Sequence, residues 1–82
     1  MTNREFSILA DKLREPLYRV AFHILESEPD AEDAVQDLFL KLWRTGVLDD
    51  VRNPLAYCTG MMRNLCIDRI RARSNHVDQW YP

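Results

Sequence analysis

The chain has 82 residues, 46% of them hydrophobic and 29% charged, with a net charge of −2. That length allows one small domain with one core, and the composition excludes an intrinsically disordered segment. No apolar run approaches the ~18 residues of a membrane span, and the start Met1-Thr-Asn-Arg-Glu-Phe6 lacks the basic-then-apolar order of a signal peptide, so a cytoplasmic location without membrane insertion is expected.

Phe6, Leu9 and Leu13 recur at helical spacing and predict a first amphipathic helix over about 3–14. Pro16 has no amide to donate and disfavours helical geometry at Glu15, so a kink or break is expected there. A second helix, about 16–26, then starts on the proline and turns Leu17, Val20, Ala21, Ile24 and Leu25 inward. Ser27-Glu28-Pro29-Asp30 combines a capping hydroxyl, a proline for the first turn and acids suited to the positive end of a helix dipole. It predicts a third helix over about 29–45, closed by Gly46 in a left-handed conformation. Val47 to Arg52 reads as a loop, and Asn53-Pro54 starts a fourth helix running to about Arg73. After Ser74 the periodicity is lost, and residues 74–82 are expected to form a frayed tail. With no period-2 run to suggest a sheet, residues 1–82 read as one all-α domain, a compact bundle of three to four helices.

The third helix carries two distinct faces. Ala31, Ala34, Val35, Leu38 and Leu42 form one apolar stripe, which is expected to be core. Asp33, Gln36, Asp37, Leu40 and Arg44 form the opposite stripe, where a leucine stands among groups able to hydrogen-bond a partner. That is a small copy of an interface core and rim, although one exposed leucine is also ordinary on a solvated face.

On the fourth helix, Leu55, Cys58, Thr59, Met62, Leu65, Cys66 and Ile70 form the inward stripe. Tyr57, Met61, Asn64, Asp68 and Arg71 form a separate outward line, of residue types that stack on bases, hydrogen-bond their edges and neutralise phosphates. Asp68 would repel phosphate unless it accepts from a base or pairs with a neighbour such as Arg71. Gly60 inside this helix costs on the order of 1 kcal/mol relative to alanine and suggests a close backbone approach, to another helix or to a ligand. Arg69 falls on the inward side, where it either runs past the core or partners an acid.

Charge is unevenly placed: residues 1–51 hold six bases and eleven acids, residues 52–82 five bases and two acids. This polarity suggests different partners at the two ends. Cys58 and Cys66, eight residues apart on one helix, lie too far apart to bridge and read as small buried hydrophobes. Without C-x-x-C spacing or nearby histidines, neither a metal nor another cofactor is expected. There is no paired nucleophile and base, and His23 stands among apolar neighbours, so the chain does not read as an enzyme.

Asp30-Ala-Glu-Asp-Ala-Val-Gln-Asp-Leu-Phe-Leu-Lys-Leu-Trp43, followed by Asn53-Pro-Leu-Ala-Tyr57 and Arg63-Asn-Leu-Cys-Ile-Asp-Arg-Ile-Arg71, resembles region 2 of the extracytoplasmic-function sigma factors of bacterial RNA polymerase. Arg52-Asn53-Pro-Leu-Ala-Tyr57 is further similar to the iron-starvation subgroup. The resemblance spans about Leu17 to Arg73 and implies that Asp33, Gln36, Asp37 and Leu40 dock on the β′ clamp helices of core polymerase, with Arg44 on the same stripe. It implies that the loop Val47 to Asn53, with Arg52 and Asn53, and the fourth helix hold the non-template strand of the promoter minus-ten element. Asn64 matches a base-contacting position, Tyr57 a position usually aromatic, and Arg63 and Arg71 phosphate contacts. An anti-sigma factor is implied as a further partner. The helix-turn-helix region 4 of such factors is absent from the chain, which therefore reads as an excised or truncated form. The competing reading is a helical protein-interaction module that needs the acidic stripe and no DNA.

Overall fold

A computed structural model of the chain describes the backbone of residues 1–80 and the side chains of residues 1–73. The first helix, α1 (Asn3–Leu25), is opened by Thr2, whose Oγ1 accepts from the Glu5 amide at 3.1 Å and donates to the Glu5 carboxylate at 3.1 Å. Helix α1 is continuous through Pro16, so the two expected helices, 3–14 and 16–26, are one. A proline inside a helix costs about 3 kcal/mol, but Ala10 and Leu13 before it and Leu17, Ala21 and Leu25 after it are all buried on one stripe. Each large buried side chain returns roughly 1.5–3 kcal/mol, so packing on both sides of the proline outweighs the local preference.

Glu26 ends α1 in the left-handed region at φ 54°, with its amide donating to the Phe22 carbonyl at 2.8 Å. Ser27 then caps α2 (Glu28–Thr45), its Oγ accepting from the Asp30 amide at 3.4 Å, with Pro29 in the first turn. So short a connection folds α2 back along α1 as a helical hairpin. Gly46 closes α2 at φ 65°, the left-handed conformation expected of it.

The segment after Gly46 is not the simple loop the sequence suggests. Val47–Asp50 forms a 3₁₀ turn that buries Leu48. Asn53 caps the last helix, α3 (Pro54–Trp80), its Oδ1 accepting from the Ala56 amide at 3.1 Å. No proline or glycine interrupts the chain between Met61 and Trp80, and α3 continues past the expected end at Arg73. The rest of the expected tail, residues 81 and 82, and the side chains of 74–80 lie outside the described residues.

The core is the meeting of three stripes: Leu13, Leu17, Ala21 and Leu25 of α1, all five expected residues of α2, and Cys58, Met62 and Cys66 of α3. Leu55 and Ile70, expected inward, are exposed. Both cysteines are free and buried, and burial pushes their thiols up from the ordinary range. Among the described residues no helix is long and apolar enough to cross a membrane.

Candidate functional site

The Ser27 cap and the buried stripe together fix the rotation of α2, and with it what the helix presents outward. Asp33, Gln36, Asp37, Leu40 and Arg44 are all exposed, Leu40 by 51%. The acids of this stripe are not simply solvated. Arg69, on α3 and only 23% exposed, lies 3.1 Å from Asp33 and hydrogen-bonds the Asp37 carboxylate, while its second terminal nitrogen reaches the Asp30 carbonyl at 3.5 Å. One turn on, Arg73 pairs with the Asp30 carboxylate at 2.7 Å. Hydrogen bonding to Arg73 is the main reason that the Asp30 carboxyl sits below its ordinary value, with the charges of Arg73 and Arg69 adding to it.

Beside this stripe, Gln36 lines an open groove between α1 and α2 that also holds Asp11, Glu15, Glu28 and Glu32. The Tyr18 phenol in it is pushed up, first by burial and then by the charges of Glu28 and Glu32. The surface N-terminal to Leu40 is therefore electronegative, with Asp33 and Asp37 still 65% and 53% exposed beside their arginine, while Lys41 and Arg44 stand exposed next to Leu40 and beyond it.

Helix α3 offers the second surface. Tyr57, Asn64, Asp68 and Arg71 are exposed along one side, with Arg63 next to Asn64. Met61, placed by the sequence on the same line, is half-buried and packs against the core. Arg52 and Asn53 are exposed just before the helix, but the Asn53 side-chain oxygen Oδ1 is occupied as the cap. Arg71 makes no ion pair with Asp68; the acid and base pairs of α3 run to α2 instead.

A groove of about 960 Å³ separates α3 from α1 along this surface, with Asn64 on its edge. Gly60 lies in its wall, and a Cβ added there would meet no atom within 4 Å. The close helix contact that a glycine at this position suggests is thus not made among the described residues.

The model of sigma-70 region 2 matches residues 9–76. The chain belongs to that family. Among curated relatives, the ECF RNA polymerase sigma factor SigK of Mycobacterium sp. strains KMS and JLS is 26% identical over 69 residues, covering 82% of this chain and 36% of the relative. The chain therefore spans about a third of the length of these relatives. No solved structure matches it. These matches agree with the extracytoplasmic-function resemblance and say nothing of an iron-starvation subgroup.

The region 2 fold brings the candidate residues together as two clusters on separate helices, Leu40 with its acids on α2 and Asn64 with Tyr57 and Arg63 on α3. Sequence reasoning did not place Arg69 and Arg73 against α2. The available signal was the unexplained inward position of Arg69 and the run of acids Asp30, Asp33 and Asp37 at helical spacing, which needed a cation to face.

Proposed function

We propose that this region 2 domain joins core RNA polymerase through α2 and holds the non-template strand of the promoter minus-ten element on α3, promoting strand opening. The observation that carries the reading is the α2 surface centred on the exposed Leu40, with Gln36 and Asp37 one turn before it, Asp33 a turn further back and Arg44 one turn after. It suits a cationic helical partner, the β′ clamp helices, and an anti-sigma factor would compete for the same face. On α3, the exposed Tyr57 ring supplies a stacking platform and Asn64 both a donor and an acceptor for a base edge.

The chemistry asked of the domain is modest. Extruding one base from the stack costs a few kcal/mol, and stacking it on an aromatic side chain returns roughly 1–3. Opening is thus near balance, and the hydrogen bonds from Asn64 decide which bases tip it.

Separate substitutions test the two surfaces. Leu40→Ala, which touches no ion pair, is expected to weaken capture of core polymerase roughly tenfold, the size of a modest interface anchor. Asn64→Ala is expected to leave capture unchanged and to reduce promoter opening, read with a fluorescent base analogue in the minus-ten element. Full polymerase capture by Leu40→Ala refutes the α2 surface. Full opening by Asn64→Ala refutes the α3 surface and leaves a protein-interaction module.

A further inference from the structure

Helix α1 is continuous, but its two halves are held differently. Pro16 has no amide, so the Lys12 carbonyl lacks its helical donor, and Lys12 is exposed, which leaves that carbonyl to water. After the proline, Leu17 and Ala21 are completely covered. Before it, the deepest residues, Ala10 and Leu13, keep a trace of exposure, Phe6 and Leu9 are half-buried and Ile8 stands 51% exposed.

Beyond the packing of Ala10 and Leu13, residues 3–15 are fastened to α2 through aromatic contacts. The Phe6 ring lies 5.1 Å from Trp43 and, edge-on, 6.4 Å from Phe39, and the Arg14 guanidinium stands 5.9 Å over Phe39. Among the described residues, the ion pairs and side-chain hydrogen bonds of this segment stay within α1 and its cap, whereas α3 is bound to α2 through Arg69 and Arg73. The Met1 ammonium, ahead of the helix, lies 3.1 Å from an exposed Asp49, a pair that solvent screens. Phe6 also shares a small cavity of about 110 Å³ with Leu42, Trp43, Gly46 and Leu48. Leu48 is the buried residue of the Val47–Asp50 turn, which leads on to Arg52 and Asn53.

We propose that residues 3–15 form a strap hinged at Pro16, which lifts while the rest of the bundle stays folded, and that its seat on Phe39 and Trp43 through Phe6 keeps the Val47–Asp50 turn in order. A gap in the hydrogen-bond ladder with weaker burial on one side gives such a segment its own opening equilibrium, cheaper than global unfolding. When Phe6 leaves, Leu48 and the end of α2 lose a wall of their shared cavity. The strap thereby controls the order of the segment that carries Arg52 and Asn53. That last consequence rests on the DNA reading of the segment; the hinge does not.

The test is native-state hydrogen exchange of the isotope-labelled chain, read by NMR at several urea concentrations below the unfolding transition and without DNA. Amides 9–15 are expected to be at least about tenfold less protected than amides 18–25, through an opening that urea hardly changes. Cys66→Ala removes core packing that persists when the strap lifts, so it is expected to speed exchange of 18–25 roughly fivefold or more and to leave 9–15 unchanged. Phe6→Ala is expected to speed exchange of 9–15 about tenfold, and the Gly46 and Asp49 amides, which donate to the Leu42 and Gly46 carbonyls, are expected to follow. Pro16→Ala, which restores the missing donor, is expected to slow 9–15. If 9–15 and 18–25 share one urea dependence in the parent, or respond alike to Cys66→Ala, the helix opens as a unit and the strap is refuted. An unchanged 9–15 in Pro16→Ala refutes the hinge, and Gly46 and Asp49 amides indifferent to Phe6→Ala refute control of the turn. All of this is read on the free chain, so its failure leaves the DNA reading standing, and failure of that reading leaves the strap.

Discussion

Arg69 shows how a single side chain changes the meaning of a surface. The acids of α2 read from sequence as free charges offered to a partner, yet Asp33 and Asp37 share Arg69, and Asp30 is held by Arg73. Substituting Asp37 therefore perturbs a helix–helix contact as well as any interface, which makes Leu40 the cleaner probe. The Asp30–Arg73 pair also sets a pH dependence. Folding lowers the Asp30 pKa below its ordinary 3.8, so as pH falls the unfolded chain takes up this proton before the folded one does. The stability contributed by the pair is whole at neutral pH and disappears as pH drops below about 4 through the folded value. Urea midpoints of the parent and Arg73→Gln should differ at neutral pH and converge as pH falls through the lowered folded-state pKa of Asp30. A difference that persists undiminished in acid would mean that Arg73 stabilises through packing instead.

At the scale of elements, the local signals that survive into the structure are those backed by both a cap and a stripe. Ser27, Gly46 and Asn53 each sit where their chemistry predicts, and all five apolar residues assigned to the inner face of α2 are buried. Pro16 misleads because a proline rule describes an isolated helix, and the buried stripe on either side of it belongs to the tertiary structure. Leu55 and Ile70 mislead for a related reason: periodicity assigns a face, while how far the neighbouring helices cover that face is absent from the sequence. Leu48 falls in a segment too short for periodicity to register. The start of α1 falls where the sequence predicts it, and the Thr2 hydroxyl caps it by accepting from the Glu5 amide.

Two positions, Glu26 and Gly60, hold unused stability. Glu26 adopts φ 54° without being a glycine, and Gly60 spends helix entropy with no contact to show for it. Glu26→Gly and Gly60→Ala are each expected to stabilise the fold by about 0.5–1 kcal/mol, or roughly 2–8 °C in Tm for a domain of this size. A fall in Tm for Gly60→Ala would show that the α1–α3 groove closes in solution.

Over the whole molecule, the uneven charge of the sequence turns out to be partly spent inside the fold. The acidic run of α2 lies against Arg69 and Arg73, so part of the charge of each half is neutralised by the other. With a net charge of −2 and few arginines left for phosphate, the domain releases few counterions on binding and should hold free DNA weakly. Under the proposed function, docking on polymerase would supply what the surface lacks, because a strand already threaded through the enzyme would meet α3 at a high effective concentration. Affinity for a minus-ten single strand is therefore expected to rise by about 10²–10⁴ when the domain and core polymerase act together, relative to the domain alone. The isolated clamp helices separate two origins of such a gain. They hold no DNA, so under tethering they leave the affinity of the domain unchanged, and equal affinity with whole core polymerase would refute tethering. A gain with the clamp helices alone would instead mean that their cations take over Asp33 and Asp37 and free Arg69 for phosphate, so that the α2–α3 pairs couple the two surfaces directly.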